Sequence, residues 1–340
     1  MRHSHCRTIL LALAFAAETS LLVGQAKVNS QLAAGSMDVR WNEGSPDCAK
    51  NPQPPLQVHA YNGASYILRE NLCSTFEAPF MYLLIGSEKA LLIDTGDVAD
   101  PKRMPLAQTV MQLLPGTDSS KLPLLVVHTH RHLDHRAGDP QFEHLPNVRV
   151  VGYDLDSVKR FYHFTNWPEG MAEIELGHRT VDVLPTPGHN ETEVSFYDRN
   201  TGLFFTGDFL LPGRLLIDDA RADLASAKRA AAFVRDRPVS FVLGGHIEMD
   251  SQGQLFPWES TYHPDEHVLQ LSQQDVLALP TIVGSFNGFY TENHGFTMTN
   301  SVRILIAFGV AAVAVVGGFL LWLIRFIRRR RQRRAFHVSV

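Results

Sequence analysis

Residues 129–135 read THRHLDH and place three imidazoles and one carboxylate within six positions. Neutral imidazole and carboxylate side chains bind borderline divalent metals such as zinc. Because alternate side chains of an extended segment share a face, His130 and His132 are expected to bind one ion together. Asp134 and His135 follow where the chain must turn, and they can serve a second ion close by. One ion needs three or four ligands, so this segment predicts further ligands downstream.

Three downstream segments each supply one candidate ligand directly after a strand-like apolar run and a glycine. These candidates are His189, Asp208 and His246. Glycine lets the backbone turn sharply, and ligands at strand ends have rigid supports. Upstream, the apolar run 90–93 leads into Asp94 with a similar layout.

The order of these motifs, HxHxDH followed by GH, GD and GGH, resembles the metallo-β-lactamase superfamily of hydrolases. The resemblance covers about residues 79–248, roughly half of the chain by length. It implies an α+β fold, a four-layer αβ/βα sandwich with metal ions at one edge of its sheets. It also implies two ligand groups that share a bridging carboxylate. The first group is His130, His132 and His189, the second is Asp134, His135 and His246, and Asp208 bridges both. Asp94 would hold one of these ligands in place.

Two positions narrow the resemblance within the superfamily. Asp208 stands where true β-lactamases typically carry Cys or Ser, so β-lactam hydrolysis becomes an alternative rather than the favoured reaction. His132 stands where the di-iron flavoprotein relatives carry Glu, which disfavours redox chemistry. With these two branches disfavoured, the chain is similar to the glyoxalase II and lactonase branch of the superfamily.

The expected activity is hydrolysis of an ester-like bond, such as a thioester or a lactone, in a small-molecule substrate. A hydroxide held between two divalent ions would attack the carbonyl, and Asp134 would bind metal and orient the hydroxide. Zinc is the expected metal, with iron or manganese as alternatives. Competing hypotheses are a mononuclear-iron oxidoreductase of the same fold and a membrane-tethered binding protein with a vestigial site. Substrate specificity depends on loops, so the motifs do not identify which ester-like bond is cleaved.

The first 26 residues are expected to be a secretory signal. Arg2 and Arg7 give a positive start, residues 9–17 are apolar, and residues 24–26 offer a small-residue cleavage site. The alternative is a retained N-terminal anchor, but the apolar stretch is short for a membrane span.

Residues 303–324 are expected to form a transmembrane helix. The stretch 304–324 carries no charge, and its 21 residues rise about 31 Å as a helix, which matches the bilayer core. Seven arginines follow between positions 325 and 334, which disfavours the alternative of a buried soluble helix. The positive-inside rule places this basic tail, 325–340, in the cytoplasm. The protein is thus expected to cross the cytoplasmic membrane once, with an exported periplasmic or extracellular catalytic domain.

The charge distribution agrees with this division of the chain. Removing the eight arginines of residues 303–340 and the net +1 of residues 1–26 from the overall −4 leaves −13 over residues 27–302. An acidic domain disfavours nucleic acid as a partner, because binding phosphates requires a basic face. No oligomeric state is predicted.

Residues 27–78 are expected to form an extended leader and residues 79–302 the catalytic domain. Cys48 and Cys73 remain after the signal and permit a disulfide in an exported protein, with two free thiols as the alternative. Residues 286–290 (FNGFY) either line a substrate pocket or pack as a loop near the membrane.

Alternating strand and helix patterns favour sheets covered by helices. Strands are predicted over 82–86, 90–93, 124–128, 148–152, 193–198 and 203–206. Helices are predicted over 104–114, 155–164, 223–233 and 264–279, the last because it begins with proline and two acids.

Overall fold

The structure is a computed structural model, and it describes residues 32–117 and 120–336; the expected signal at 1–26 lies outside these residues. The first sheet has six strands in the order β1 to β6. They are β1 (Leu56–Asn62), β2 (Ser65–Glu70), β3 (Phe80–Ile85), β4 (Ala90–Ile93), β5 (Leu124–Val127) and β6 (Val148–Val150). The pairs from β1 to β4 are antiparallel, whereas β4–β5 and β5–β6 are parallel, so the sheet is mixed.

The second sheet is also six-stranded and mixed, in the order β13-β12-β10-β9-β8-β7. Its strands are β7 (Ala172–Glu175), β8 (Thr180–Pro185), β9 (Val194–Asp198), β10 (Leu203–Gly207), β12 (Phe241–Gly244) and β13 (Gln270–Leu271). The β10–β12 pair is parallel, so these two strands end at the same edge of the sheet.

A smaller third sheet and five α-helices also lie in the described part of the chain. The third sheet has the order β11-β15-β14, with β11 (Arg214–Leu216), β14 (Tyr290–Asn293) and β15 (Phe296–Thr299). The helices are α1 (Leu106–Leu113), α2 (Leu155–Tyr162), α3 (Ala220–Val234), α4 (Gln273–Gly284) and α5 (Ser301–Phe336).

Three apolar clusters show how these elements stack in layers. The largest lies between the two large sheets, where Tyr82 and Ile93 of the first sheet meet Phe196 and Phe205 of the second. A second cluster packs the outer face of the second sheet against α3 and α4. A third packs the outer face of the first sheet against α1. The order helix, sheet, sheet, helix is the four-layer sandwich that the resemblance implied.

The helix predicted over 264–279 begins later than the sequence pattern indicated. It starts at Gln273, where Ser272 and Asp275 form a reciprocal capping box. Asp265 has a left-handed φ of +53°, and Glu266 is bound through both oxygens to the buried Arg69 at 2.6 Å. These contacts hold the segment before Ser272 in an irregular path, so this prediction was wrong over its first half.

The segment expected as an extended leader contributes to the first sheet. Its strands β1 and β2 form a hairpin that pairs with β3. Ile67 and Leu68 of β2 are fully buried, which explains why this hairpin joins the sheet. Cys48 and Cys73 form a disulfide that closes the chain around the hairpin, over a separation of 25 residues.

Helix α5 contains the uncharged stretch predicted to span a membrane. Over Ser301–Arg329 it is long and apolar enough to cross a bilayer, and its most apolar part is not buried within the protein. Leu305 and Phe308 are 70% and 71% exposed. A helix that is apolar on all sides and has no protein covering it requires another apolar environment.

Candidate metal centre

Three histidine nitrogens converge at the ends of two strands, one in each large sheet. His130 follows β5, and its Nε2 lies 3.0 Å from Nδ1 of His132. His189 follows β8, and its Nε2 lies 3.0 Å from the same Nδ1. His130 and His189 are almost fully buried, whereas His132 is partly exposed. The three side chains thus form one group of potential metal ligands.

A second group lies beside the first and combines two imidazoles with two carboxylates. Asp134 and His135 belong to a short 3₁₀ turn, Leu133–His135. Asp134 Oδ2 lies 3.1 Å from Nε2 of His135 and 3.3 Å from Nε2 of His246, which follows β12. The two imidazole Nε2 atoms are 3.3 Å apart.

Asp208 lies between the two groups. Its Oδ1 is 3.4 Å from His135 Nε2 and 3.5 Å from His246 Nε2, while its Oδ2 is 3.7 Å from His189 Nε2. Two glycines make this placement sterically feasible. A Cβ on Gly207, which has φ +52°, would meet Thr129 at 2.7 Å, and one on Gly245 would meet Asp208 Oδ1 at 2.4 Å. The glycines that precede these ligands are therefore required for close packing.

The donor atoms of the second group fit a divalent ion. Four tetrahedral donors at about 2.0–2.1 Å from zinc lie about 3.3 Å from one another. The separations of 3.1 to 3.5 Å between Asp134, His135, Asp208 and His246 match this geometry. Within the described residues, the buried Asp208 Oδ1 has no hydrogen-bond partner. A buried carboxylate oxygen without a donor is costly unless a cation satisfies it.

Contacts on the far side of three imidazoles fix which nitrogen faces the centre. Nδ1 of His135 donates to Oδ2 of the fully buried Asp94 at 2.9 Å. Nδ1 of His189 donates to the carbonyl of Leu216 at 2.8 Å, and Nδ1 of His246 donates to that of Glu77 at 2.7 Å. Each contact leaves Nε2 free as a ligand and holds the ring in place. Asp94 thus occupies the supporting position that the resemblance implied.

The histidine pKa values shift in opposite directions in the two groups. Burial lowers the pKa of His130, and the neighbouring His135 and His189 lower it further, so His130 favours its neutral, ligand form. Burial alone would lower the pKa of His246, but Asp208 and Asp134 outweigh it and raise that pKa to about 10. The second group therefore attracts positive charge, either protons or a metal ion.

Two buried acids behind the centre were not predicted from the sequence. Glu193 is fully buried, and its Oε1 accepts the backbone N–H of Asp208 at 3.1 Å. Burial, followed by the charges of Asp208 and Asp223, raises the pKa of Glu193 well above its usual value. The available signal was an acidic residue directly before the apolar strand β9, four positions after His189. The sequence pattern placed Glu193 at the start of a predicted strand, but nothing in it indicated that this side chain is buried beside the centre.

Asp223 is the second of these acids and gives a testable pH dependence. It lies in the first turns of α3 against Gly188, and in the described chain its Oδ1 has no hydrogen-bond partner. Burial, and then the charge of Asp219, raises the pKa of Asp223 to about 8. The unfolded carboxyl ionises near pH 4, so this one group lowers the stability of the fold as the pH rises from about 4 to about 8.

We expect Asp223→Asn to remove this loss. The free energy of unfolding of the variant, relative to wild type, should rise by on the order of 4 kcal/mol between pH 4 and pH 8. Urea unfolding of chelator-treated protein at both pH values measures it without competition from metal. The exposed Asp236→Asn serves as control. An equal pH dependence in the Asp223→Asn variant and wild type would contradict the expectation.

All seven residues predicted as metal ligands come together in the structure, three in the first group and four in the second. Their role as ligands remains a prediction. His128, two positions before His130, pairs instead with the buried Asp139 at 2.8 Å.

Comparison with known proteins agrees with this arrangement. The family model described as the metallo-beta-lactamase superfamily matches residues 74–246. The acyl-coenzyme A thioesterase MBLAC2 of Gallus gallus is 26% identical over 216 residues, covering 54% of this chain and 77% of that protein. A hydroxyacylglutathione hydrolase of Synechococcus is 29% identical over 135 residues, covering 39% of this chain and 50% of that protein.

A similar solved structure is a metallo-beta-lactamase from Pontibacter korlensis, with 17% identity and a TM-score of 0.45. The match covers 66% of this chain and 99% of that one. The family model spans just over half of the 340 residues and includes every residue of both ligand groups. The chain therefore belongs to the metallo-beta-lactamase superfamily of hydrolases.

Proposed function

We propose that the protein is a metal-dependent hydrolase that cleaves an ester-like bond, a thioester or a lactone, at a centre of two divalent ions. The observation that carries this proposal is Asp208, whose two oxygens face two separate groups of donors. Zinc is the metal that the imidazole and carboxylate set favours. The thioester bond is favoured by the similarity to an acyl-coenzyme A thioesterase and a hydroxyacylglutathione hydrolase.

His130, His132 and His189 would hold the first ion, and Asp134, His135 and His246 the second, with Asp208 shared. Two such ions, when bound, lower the pKa of a water between them and polarise the carbonyl of the substrate. The side chains of the protein supply the other contributions to catalysis. Asp134 and Asp208 are only partly buried, with 20% and 12% of their side-chain surface exposed, so the substrate would approach from their side.

Asp134 is placed to orient the attacking water, because its carboxylate is both among the donors and open to solvent. Asp94 and the carbonyls of Glu77 and Leu216 prevent the imidazoles from turning away during the reaction. Hydrolysis then adds water across the acyl bond, with the proton going to the leaving thiol or alcohol. These residues supply position and charge, which dominate catalysis of this kind.

We further propose that the catalytic domain is exported and anchored by α5 in the cytoplasmic membrane, with the arginine-rich tail in the cytoplasm. The apolar, uncovered length of α5 supports a membrane span. The disulfide between Cys48 and Cys73 supports an oxidising compartment for the domain.

Metal content and a substrate panel test the proposed reaction. We expect the purified full-length protein in detergent to contain two divalent ions per chain, and to hydrolyse acyl thioesters or lactones without consuming oxygen. A chelator should abolish turnover, and added zinc should restore it. One iron per chain together with oxygen uptake would instead establish the competing oxidoreductase function.

A further inference from the structure

Residues 286–290, with the sequence FNGFY, lie beside the start of α5, and we call them the aromatic loop. The backbone N–H of Asn300, which directly precedes α5, donates to the carbonyl of Phe289 at 3.0 Å. Tyr290 is in register with Thr299 across the pair β14–β15. The aromatic loop is therefore level with the point where α5 leaves the domain.

The side chain of Asn287 closes the aromatic loop into a fixed turn. Its Oδ1 accepts the N–H groups of Phe289 and Tyr290 at 2.8 and 2.9 Å, and its Nδ2 donates to the carbonyl of Tyr290 at 2.7 Å. Phe286 packs against the apolar cluster formed with α3 and α4. Because one aromatic ring is packed into the domain and the turn is closed by hydrogen bonds, the loop presents a defined surface.

The other two aromatic side chains of the loop face solvent. Phe289 and Tyr290 are each 48% exposed, and the hydroxyl of Tyr290 donates to Glu292. Gly288 lies against the helix, since a Cβ at this position would be 3.0 Å from the guanidinium of Arg303. Two exposed aromatic rings therefore adjoin the first turn of α5.

The domain leaves α5 uncovered directly after this first turn. The side chain of Asn300 holds the start of the helix, because its Nδ2 donates to the carbonyl of Ile217 at 2.7 Å and its Oδ1 accepts the N–H of Arg303 at 2.8 Å. Leu305 and Phe308 are already 70% and 71% exposed. The boundary between the domain and the proposed bilayer therefore lies between Asn300 and Leu305.

This boundary places the aromatic loop at the depth of the lipid headgroups. The uncharged stretch begins at Ile304, four residues after Asn300, which corresponds to about 6 Å along a helix axis. The headgroup layer on each side of the hydrocarbon core is about 5–7 Å thick. When the uncharged stretch fills the core, Asn300 and the adjoining Phe289 lie within this layer. Aromatic side chains are enriched at this depth.

The charge around the aromatic loop favours a lipid surface over a charged partner. Between positions 285 and 303 the one acid, Glu292, and the one base, Arg303, cancel, whereas residues 27–302 together carry −13. The exposed Asp218 lies nearby, since its carbonyl accepts from Asn300 at 3.2 Å. An anionic surface would therefore gain nothing from this patch, and burial of aromatic surface would supply the binding.

We propose that Phe289 and Tyr290 insert into the headgroup layer of the phospholipid bilayer and form a second membrane contact beside α5. This inference rests on the proposed anchoring by α5, and it does not depend on which bond the metal centre cleaves. It adds a surface of the catalytic domain that contacts the membrane directly. With two points of contact, the domain would keep one orientation on the bilayer instead of rotating about its anchor.

Photocrosslinking of the full-length protein in phosphatidylcholine vesicles tests this contact. Phe289 is replaced by the photoreactive p-benzoylphenylalanine, and the adducts formed on irradiation are identified by mass spectrometry. The same residue at Leu305 marks the helix. At Val58, which is 38% exposed on the edge strand β1 of the first sheet, it serves as the matched control. We expect the yield of phosphatidylcholine adduct at position 289 to exceed that at position 58 by at least about tenfold, because the ring is favoured in the headgroup layer over water.

The three positions separate the possible results. A lipid adduct at position 305 with no more adduct at 289 than at 58 would overturn the inference and leave the anchor in place. Crosslinks from position 289 to a second copy of the chain would also overturn it, since the loop would then be a protein interface. A lack of lipid adduct at position 305 would overturn the anchoring and the inference together. Turnover of the substrate panel tests the proposed hydrolysis separately from all of these results.

Discussion

Replacing Asp208 by alanine is expected to lower kcat/KM for thioester hydrolysis by at least about 10³-fold and to reduce the bound metal below two ions per chain. The reason is that one carboxylate serves both groups of donors, with Oδ1 facing His135 and His246 and Oδ2 facing His189. Its removal leaves the second group with a single carboxylate and separates the two groups. Steady-state kinetics and elemental analysis of the same sample measure both effects.

The matched control for this variant is Asp236→Ala, which removes an exposed aspartate outside the centre. Circular dichroism should show the same secondary structure for both variants and wild type, because Asp208 lies at a strand end. An Asp208→Ala protein that keeps two ions and wild-type turnover would refute the shared-carboxylate assignment.

Arg179→Met is expected to lower the free energy of unfolding by about 3–5 kcal/mol. Arg179 forms a bidentate pair with Asp198 at 2.7 and 3.0 Å, and both side chains are fully buried. Its other donors bind the carbonyls of Ala64 and Ile85 and the hydroxyl of Ser65, all on the first sheet. The substitution therefore leaves the buried carboxylate of Asp198 without its cation, with hydrogen bonds only from Asn200 and Thr201. It also removes polar links between the two large sheets.

Urea unfolding followed by circular dichroism measures this loss. Adding Asp198→Asn should restore part of the stability, since it removes the stranded charge. The surface pair offers a control: Arg40 is 80% exposed beside Glu43, so Arg40→Met should change stability by less than about 1 kcal/mol. A loss of similar size in both single variants would contradict the argument from burial.

The strand-end positions of the centre could be predicted because their signal is local. An apolar run, a glycine and then a polar side chain define the end of a buried strand, and this pattern marks His189, Asp208 and His246. The sequence pattern also located β4 and β5, whose residues are almost all buried. In each case the element is short, strongly apolar and punctuated by turn residues.

Residues whose role depends on long-range contact could not be predicted. The carbonyl of Leu216 that holds His189 lies 27 positions away, and that of Glu77 lies 169 positions from His246. A backbone carbonyl carries no sequence signal. The late start of α4 has the same origin, because Glu266 is engaged by Arg69 across 197 positions rather than by a helix turn.

The hairpin β1–β2 was missed for a different reason. The prolines between Pro46 and Pro55 favoured an extended leader, and the prediction of a leader also covered the residues that form β1 and β2. The fully buried side chains of β2 show that packing against β3 outweighed it. Local composition alone cannot weigh such a tertiary contact.

The bond between Cys48 and Cys73 makes the conformational stability of this hairpin depend on redox conditions. A cross-link over 25 residues restricts the unfolded chain and contributes about 3 kcal/mol in the chain-entropy model. Protein synthesised in a reducing cytosol would lack this contribution, and the chain before β3 would open more readily to proteases. Under the proposed export of the domain, formation of this bond outside the cytoplasm would therefore make exported molecules more resistant to proteases than molecules retained in the cytosol.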